Sequence, residues 1–170
     1  MDKSKSEYFI NNLLFALIIL FACFIQISLN FLSFFMISQP YFLTIILFLS
    51  VRRLNFQTSS VLIILCGFLY DLMIGGLIGV HSLFFLLLKF FTLNLDFSHI
   101  ILKKYGEWFL FSFSYVLSLI TVKGLFIIVN LKIPDLYAVS FNIGTTLLLF
   151  PIILLLTDLP KNIFKLLVNK

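Results

Sequence analysis

The chain is a succession of long apolar runs separated by short polar breaks, and this pattern limits what it can fold into. A helix needs about 20 predominantly apolar residues to cross the hydrocarbon core of a bilayer. Runs near that length lie at 9–37, 56–74, 77–95, 108–131 and 137–156, with a shorter one at 41–51. Hydrophobic residues make up 62% of the 170 and charged residues 11%, among them 23 Phe on the apolar side. A soluble domain is nearer half apolar and about a quarter charged, and a chain this small has too little interior to hide the excess. Lipid must therefore face much of it. Because lipid offers backbone groups no hydrogen bonds, the spanning segments are expected to be helical. The expected fold is all-α: a polytopic membrane protein, a bundle of about six transmembrane helices in a single domain covering 1–170, its second helix short or kinked.

The breaks have recognisable chemistry. Gln39-Pro40 ends the first run, since Pro lacks a donor and disfavours helix at the residue before it. The run 41–51 would rise only about 16 Å as a helix. It is either a half-span, or the turn comes earlier, near Ser28–Asn30, and Pro40 kinks a longer second helix. Arg52-Arg53 closes this run, Gly75-Gly76 separates the third and fourth, and Lys132-Ile133-Pro134-Asp135 separates the last two. Asp158 and Pro160 are expected to close the sixth run, leaving a tail that reads as an amphipathic end at the membrane interface. The first run follows Lys3 and Lys5 but lacks a clear small-residue cleavage site, so it reads as a retained span.

Six crossings divide the charges unevenly. With the N-terminus cytoplasmic, the cytoplasmic segments hold Lys3, Lys5, Arg52, Arg53, Lys103, Lys104, Lys161, Lys165 and Lys170, nine of the 12 Lys and Arg. The outer loops hold only Lys132, while Lys89 and Lys123 fall within spans. This positive-inside bias predicts both termini in the cytoplasm of a multi-pass inner-membrane protein. The same distribution accounts for the net charge of +5 without nucleic acid, because no basic patch is interleaved with aromatics as single-strand binding requires.

One segment stands apart. Gly67, Asp71, Gly75 and Gly79 recur every four residues, followed by His81 and Ser82. Residues four apart share a helix face, and glycines there let another helix approach closely. Gly75-Gly76 also suits a tight turn. Asp71 is an acid within a span, where an ionised group costs several kcal/mol. His81 lies as far after Gly76 as Asp71 lies before it, so a hairpin sets the two at similar depth and a hydrogen bond between them is expected. Lys123 is the rival partner for Asp71. Lys89 reads as snorkelling to the cytoplasmic surface, and Glu107-Trp108 as an interfacial boundary. Neither metalloprotease, nucleophile-elbow nor P-loop signatures occur. Asp71, His81 and Ser82 do not form a triad, since adjacent helix positions point about 100° apart. Cys23 and Cys66 lie in apolar runs and read as small buried side chains. No catalytic residue, metal site or cofactor is expected.

The segments Gln39-Pro40-Tyr41-Phe42-Leu43 and Gly67-x-x-x-Asp71-x-x-x-Gly75-x-x-x-Gly79-Val80-x-Ser82-Leu83 resemble those of the MreD family of rod shape-determining membrane proteins. Asn142 and Pro151 stand where that family has Asn and Pro in its last span. Two positions depart from the family pattern: Gln39 replaces the usual Arg before Pro40, and Asp158 falls where a basic residue is common. The resemblance implies a non-catalytic scaffold of the bacterial cell-elongation machinery. Its implied partners are an MreC-like bitopic protein and, through the complex, MreB, RodA, a penicillin-binding transpeptidase and peptidoglycan synthesis. Packing or partner-binding roles then fall to Gly67, Asp71, Gly75, Gly79, His81, Pro40 and Pro151. The alternative is a substrate-binding subunit of an energy-coupling-factor transporter, also a small six-helix bundle. Against it stand short outer loops and the spacing of Ala16 and Ala22, which do not share a close-packed stripe.

Overall fold

A computed structural model of the chain describes residues 3–31, 40–53, 59–75, 77–95, 106–130 and 135–168. Among the described residues six helices account for nearly all of the backbone: α1 (Lys3–Phe31), α2 (Phe42–Arg53), α3 (Ser60–Ile74), α4 (Val80–Asn94), α5 (Gly106–Asn130) and α6 (Leu136–Val168). The protein is all-α. Windows in α1, α5 and α6 are long and apolar enough to cross a membrane, whereas α2, α3 and α4 have 12, 15 and 15 residues.

The helices sort by how they meet their surroundings. The outer faces of α1, α5 and α6 carry large apolar side chains, among them Phe21, Phe24, Ile128 and Leu148, each at least two-thirds exposed. In water such a surface would be an aggregation liability; against acyl chains it is the required exterior. α2 is the reverse. From Leu43 to Val51 every residue but Ile46 is buried, as expected for a helix that is apolar all round. Packed around it is an aromatic cluster. The rings of Phe111 and Phe150 stack at 4.4 Å, and Phe48 of α2 meets both edge-on at 5.2 and 5.7 Å. Both arrangements are favoured by the ring quadrupoles.

α2 begins inside the bundle, and its free end is satisfied by side chains. Gln26 of α1 donates from Nε2 to the Pro40 carbonyl at 3.1 Å and accepts the Leu43 N–H at 3.3 Å. The Tyr41 N–H donates to Thr146 Oγ1 of α6 at 3.0 Å, and that hydroxyl donates on to the Asn142 carbonyl. Tyr115 of α5 donates its hydroxyl to Asn142 Oδ1 at 2.6 Å. One amide in an apolar run thus meets both the donor and the acceptor need of a broken helix start. The second helix is therefore short, with 12 residues. α1 is helical through Ser28–Asn30, so the turn does not lie there, and Pro40 precedes α2 rather than kinking it. Residues 32–39, Gln39 among them, lie outside the described residues, as do 54–58 and 96–105.

α6 corrects a second expectation. It does not close at Asp158–Pro160 but continues to Val168, and it runs through Pro151 as well. A proline inside a helix removes the N–H that would bond the carbonyl four residues earlier. For Pro151 that carbonyl belongs to Leu147, and the indole N–H of Trp108 donates to it at 3.2 Å. Re-satisfaction by a neighbouring helix is how lipid-embedded helices tolerate proline. It also revises the reading of Trp108, which reaches into the bundle and is not only a marker of the membrane interface.

Candidate functional site

The segment singled out in the sequence forms a helical hairpin, and α3 packs more extensively on α4 than any other helix pair does. Two physical devices hold it. The first is close approach at Gly67. A Cβ there would overlap the Cα of Ser82 and lie 2.5 Å from the Ser82 N and 2.9 Å from the His81 carbonyl carbon. Only glycine permits the backbones to come this near. Ser82 then donates its hydroxyl to the Ile64 carbonyl at 2.9 Å, tying α4 to α3 one turn away.

The second device is Asp71, 1% exposed. Its carboxylate is placed at the N-terminus of α4 and acts as a cap supplied by the preceding helix. Oδ2 accepts the Gly79 N–H at 2.7 Å, the His81 N–H lies 3.3 Å from both oxygens, and His81 Nδ1 sits 2.5 Å from Oδ1. These donors are among the first N–H groups of a helix, which have no partner within it. A negative group here also meets the positive end of the helix dipole. The cost of burying Asp71 is thus offset by several directed donors, and the expected Asp71–His81 hydrogen bond is present. His81 is further seated edge-on against Tyr70 at 4.8 Å.

Two expectations change. Gly67, Asp71, Gly75 and Gly79 do not form one helical face, because α3 ends at Ile74. Gly67 and Asp71 share a face; Gly75 (φ 71°) ends α3 and Gly79 (φ 97°) begins α4, both in left-handed conformations. Such φ values disfavour side chains, so these two glycines serve the turn. The fourth helix accordingly starts at Val80 and not at residue 77. Gly76 lies outside the described residues. The second change concerns Lys123: among the described residues it forms no ion pair with Asp71. It stands instead across a cleft of about 230 Å³ between the hairpin and α5, lined by Asp71, Leu77, Val80, His81, Val122, Lys123 and Phe126. A smaller extension of about 80 Å³ continues past His81 to Tyr41. Pro40 is buried at the start of α2, and Pro151 is exposed on α6; neither lines this cleft.

The remaining candidates are placed as follows. Lys89, half-buried near the other end of α4, donates to Ser60 Oγ at 3.1 Å. Cys23 and Cys66 are buried free thiols. Gln26, Thr146, Tyr115 and Trp108, which bond the broken helices, were not legible as a group. Their one sequence signal is polarity inside apolar runs, which Gln26 shows and the hydroxyls barely do.

These observations define an all-α protein with, among the described residues, three helices long and apolar enough to cross a membrane and a buried carboxylate that locks a hairpin. No family model, curated protein or solved structure matches the chain.

Proposed function

We propose that this chain is a non-catalytic scaffold of the MreD type, embedded in the bacterial inner membrane with six crossings and both termini in the cytoplasm. The shorter helices α2, α3 and α4 cross together with their flanking residues. The observation that carries the reading is the hairpin itself. The residues that bear the resemblance, Gly67, Asp71, Gly79 and Ser82, are spent on fixing two helices against each other. A scaffold needs such a rigid unit, because it must present one unchanging surface to several partners. The exposed apolar faces of the long helices suit lipid or the single transmembrane helix of an MreC-like protein. Through that protein the scaffold would connect MreB, RodA and the penicillin-binding transpeptidase to peptidoglycan synthesis.

The cleft beside His81 is the observation that favours the transporter subunit instead, since a ligand pocket is what such a subunit requires. Two measurements separate the readings. Depletion in a rod-shaped host should give spherical cells with unimpaired nutrient uptake, and the tagged chain should co-purify with a coiled-coil bitopic protein. Rod-shaped depleted cells, or co-purification with an ATPase module, would refute the scaffold. Reporter fusions after Arg53 and at residues 132–134 test the orientation, the first expected inside and the second outside.

A further inference from the structure

The cleft between the α3–α4 hairpin and α5 has an unusual charge balance for a membrane-embedded site. Asp71 is one of its lining residues, yet its oxygens are taken by the Gly79 and His81 backbone and by His81 Nδ1. Lys123 on the facing wall has no hydrogen-bond or ion-pair partner among the described residues, and neither has the Tyr41 hydroxyl or the second ring nitrogen of His81. The three groups line one pocket of about 80 Å³ that shares Val80, His81, Val122 and Lys123 with the larger cleft; Lys123 and Tyr41 donate into it, whereas the N–H of His81 is spent on Asp71. A cation held in such a cleft with no direct ionic partner is costly in lipid.

We propose that this cleft binds a phosphate group, its oxygens held by Lys123 and Tyr41. A tetrahedral oxyanion offers acceptors to both donors, which arrive from α5 and from the segment before α2. The adjoining space of about 230 Å³, which Lys123 also lines, exceeds the room for several waters at about 30 Å³ each, so the rest of a headgroup fits beside the phosphate. The source favoured by the surroundings is an anionic lipid. The hairpin turn marks the end of two helices, where headgroups lie, and Val122 and Phe126 continue the cleft as an apolar wall for an acyl chain. This goes beyond the scaffold reading and is tested separately from it.

Native mass spectrometry of the full chain released from detergent tests the proposal, with dioleoyl phosphatidic acid, dioleoylglycerol and inorganic phosphate as probes. Phosphatidic acid should be retained where dioleoylglycerol, with the same chains and no phosphate, is not. Lys123→Gln should weaken that binding about tenfold or more, the scale of one charge-assisted hydrogen bond. Lys123→Arg should restore most of it, and Lys89→Gln, an equal loss of charge, should leave it unchanged. Tyr41→Phe should weaken it less than Lys123→Gln. Inorganic phosphate that binds alone and displaces phosphatidic acid would uphold the phosphate site and assign its source to a soluble phosphoester. Equal retention of both lipids overturns the proposal. So does unchanged phosphatidic acid binding in a Lys123→Gln chain with a wild-type circular dichroism melt. A cleft that instead takes an acidic side chain of a partner protein would show the same lack of lipid preference.

Discussion

The Trp108–Pro151 pair allows a test in which the sign of the effect depends on the background. In the native chain the Leu147 carbonyl has no helical partner, because Pro151 has no N–H, and the Trp108 indole supplies one at 3.2 Å. Trp108→Phe keeps an aromatic ring but removes the donor. An unsatisfied polar group inside the bundle costs about 1–3 kcal/mol, to which the smaller ring adds a packing loss. Pro151→Ala restores a backbone N–H at position 151 that bonds the same carbonyl. In that background Trp108→Phe should lose only the packing part. The coupling between the two substitutions is then about 1–2 kcal/mol, within the range found for residues sharing one hydrogen-bond acceptor. The cycle isolates this term even if Pro151→Ala alone shifts stability through helix propensity or through the fit of α6 in the bundle. Reversible unfolding in mixed micelles, titrated with dodecyl sulfate and followed by far-ultraviolet circular dichroism, supplies the four free energies. Tryptophan fluorescence is unsuitable, since Trp108 is the only tryptophan. An equal cost of Trp108→Phe in both backgrounds would refute the assignment of that indole to the proline's vacated carbonyl.

Three further outcomes are expected from the same titration. Gly67→Ala should destabilise by about 1–3 kcal/mol or more, since the added Cβ meets the backbone of Ser82 and not a movable side chain. Gly144→Ala, whose Cβ would meet nothing within 4 Å, should be neutral or stabilising by up to about 1 kcal/mol; a similar loss at both sites would mean that helix approach at Gly67 is not the cause. Asp71→Asn should cost about 1–3 kcal/mol, because an amide accepts at one atom only and presents donors to the N–H groups of Gly79 and His81; an unchanged midpoint would rule out the capping role. Gln26→Leu strands the Leu43 N–H and leaves the Pro40 carbonyl only the Phe42 N–H, so it should cost about 1–3 kcal/mol and speed hydrogen exchange at Leu43; unaltered exchange there would count against the clamp.

Much of this fold is legible in the sequence because lipid leaves few options. Where backbone groups find no solvent partner, a long apolar run becomes a helix, and the runs at 108–131 and 137–156 correspond closely to the starts of α5 and α6. The ends were harder to read. Pro160 looks like a stop under rules drawn from water, yet α6 passes through it. The four-residue period from Gly67 to Gly79 looks like one helix face, but a period does not say where the helix stops. Two of its four members have positive φ, which no spacing rule detects. The Asp71–His81 contact was accessible because equal distances from a turn imply equal depth. That Asp71 caps α4 was not, since the cap is contributed from a different helix and follows no N-cap spacing. Lys123 reads from its charge and depth as the rival partner for Asp71, and no spacing reveals that the α4 backbone also claims that carboxylate.

Three interruptions of the helices among the described residues share a single logic, and it bears on what the bundle is for. At Pro40, at the turn from Gly75 to Gly79, and at Pro151, a helix is broken or loses a bond, and in each case a side chain of another element makes good the loss. Gln26 joins α1 to the start of α2, Asp71 joins α3 to α4, and Trp108 joins α5 to α6. In lipid, apolar contact alone discriminates weakly between helix arrangements, because acyl chains are as apolar as leucine. A stranded carbonyl or N–H discriminates strongly, since only one neighbour in one register can satisfy it. The breaks that shorten the helices are therefore also what specify their partners, and a bundle assembled this way can leave its outer faces wholly apolar. Those faces remain free of any internal duty, as the proposed scaffold requires.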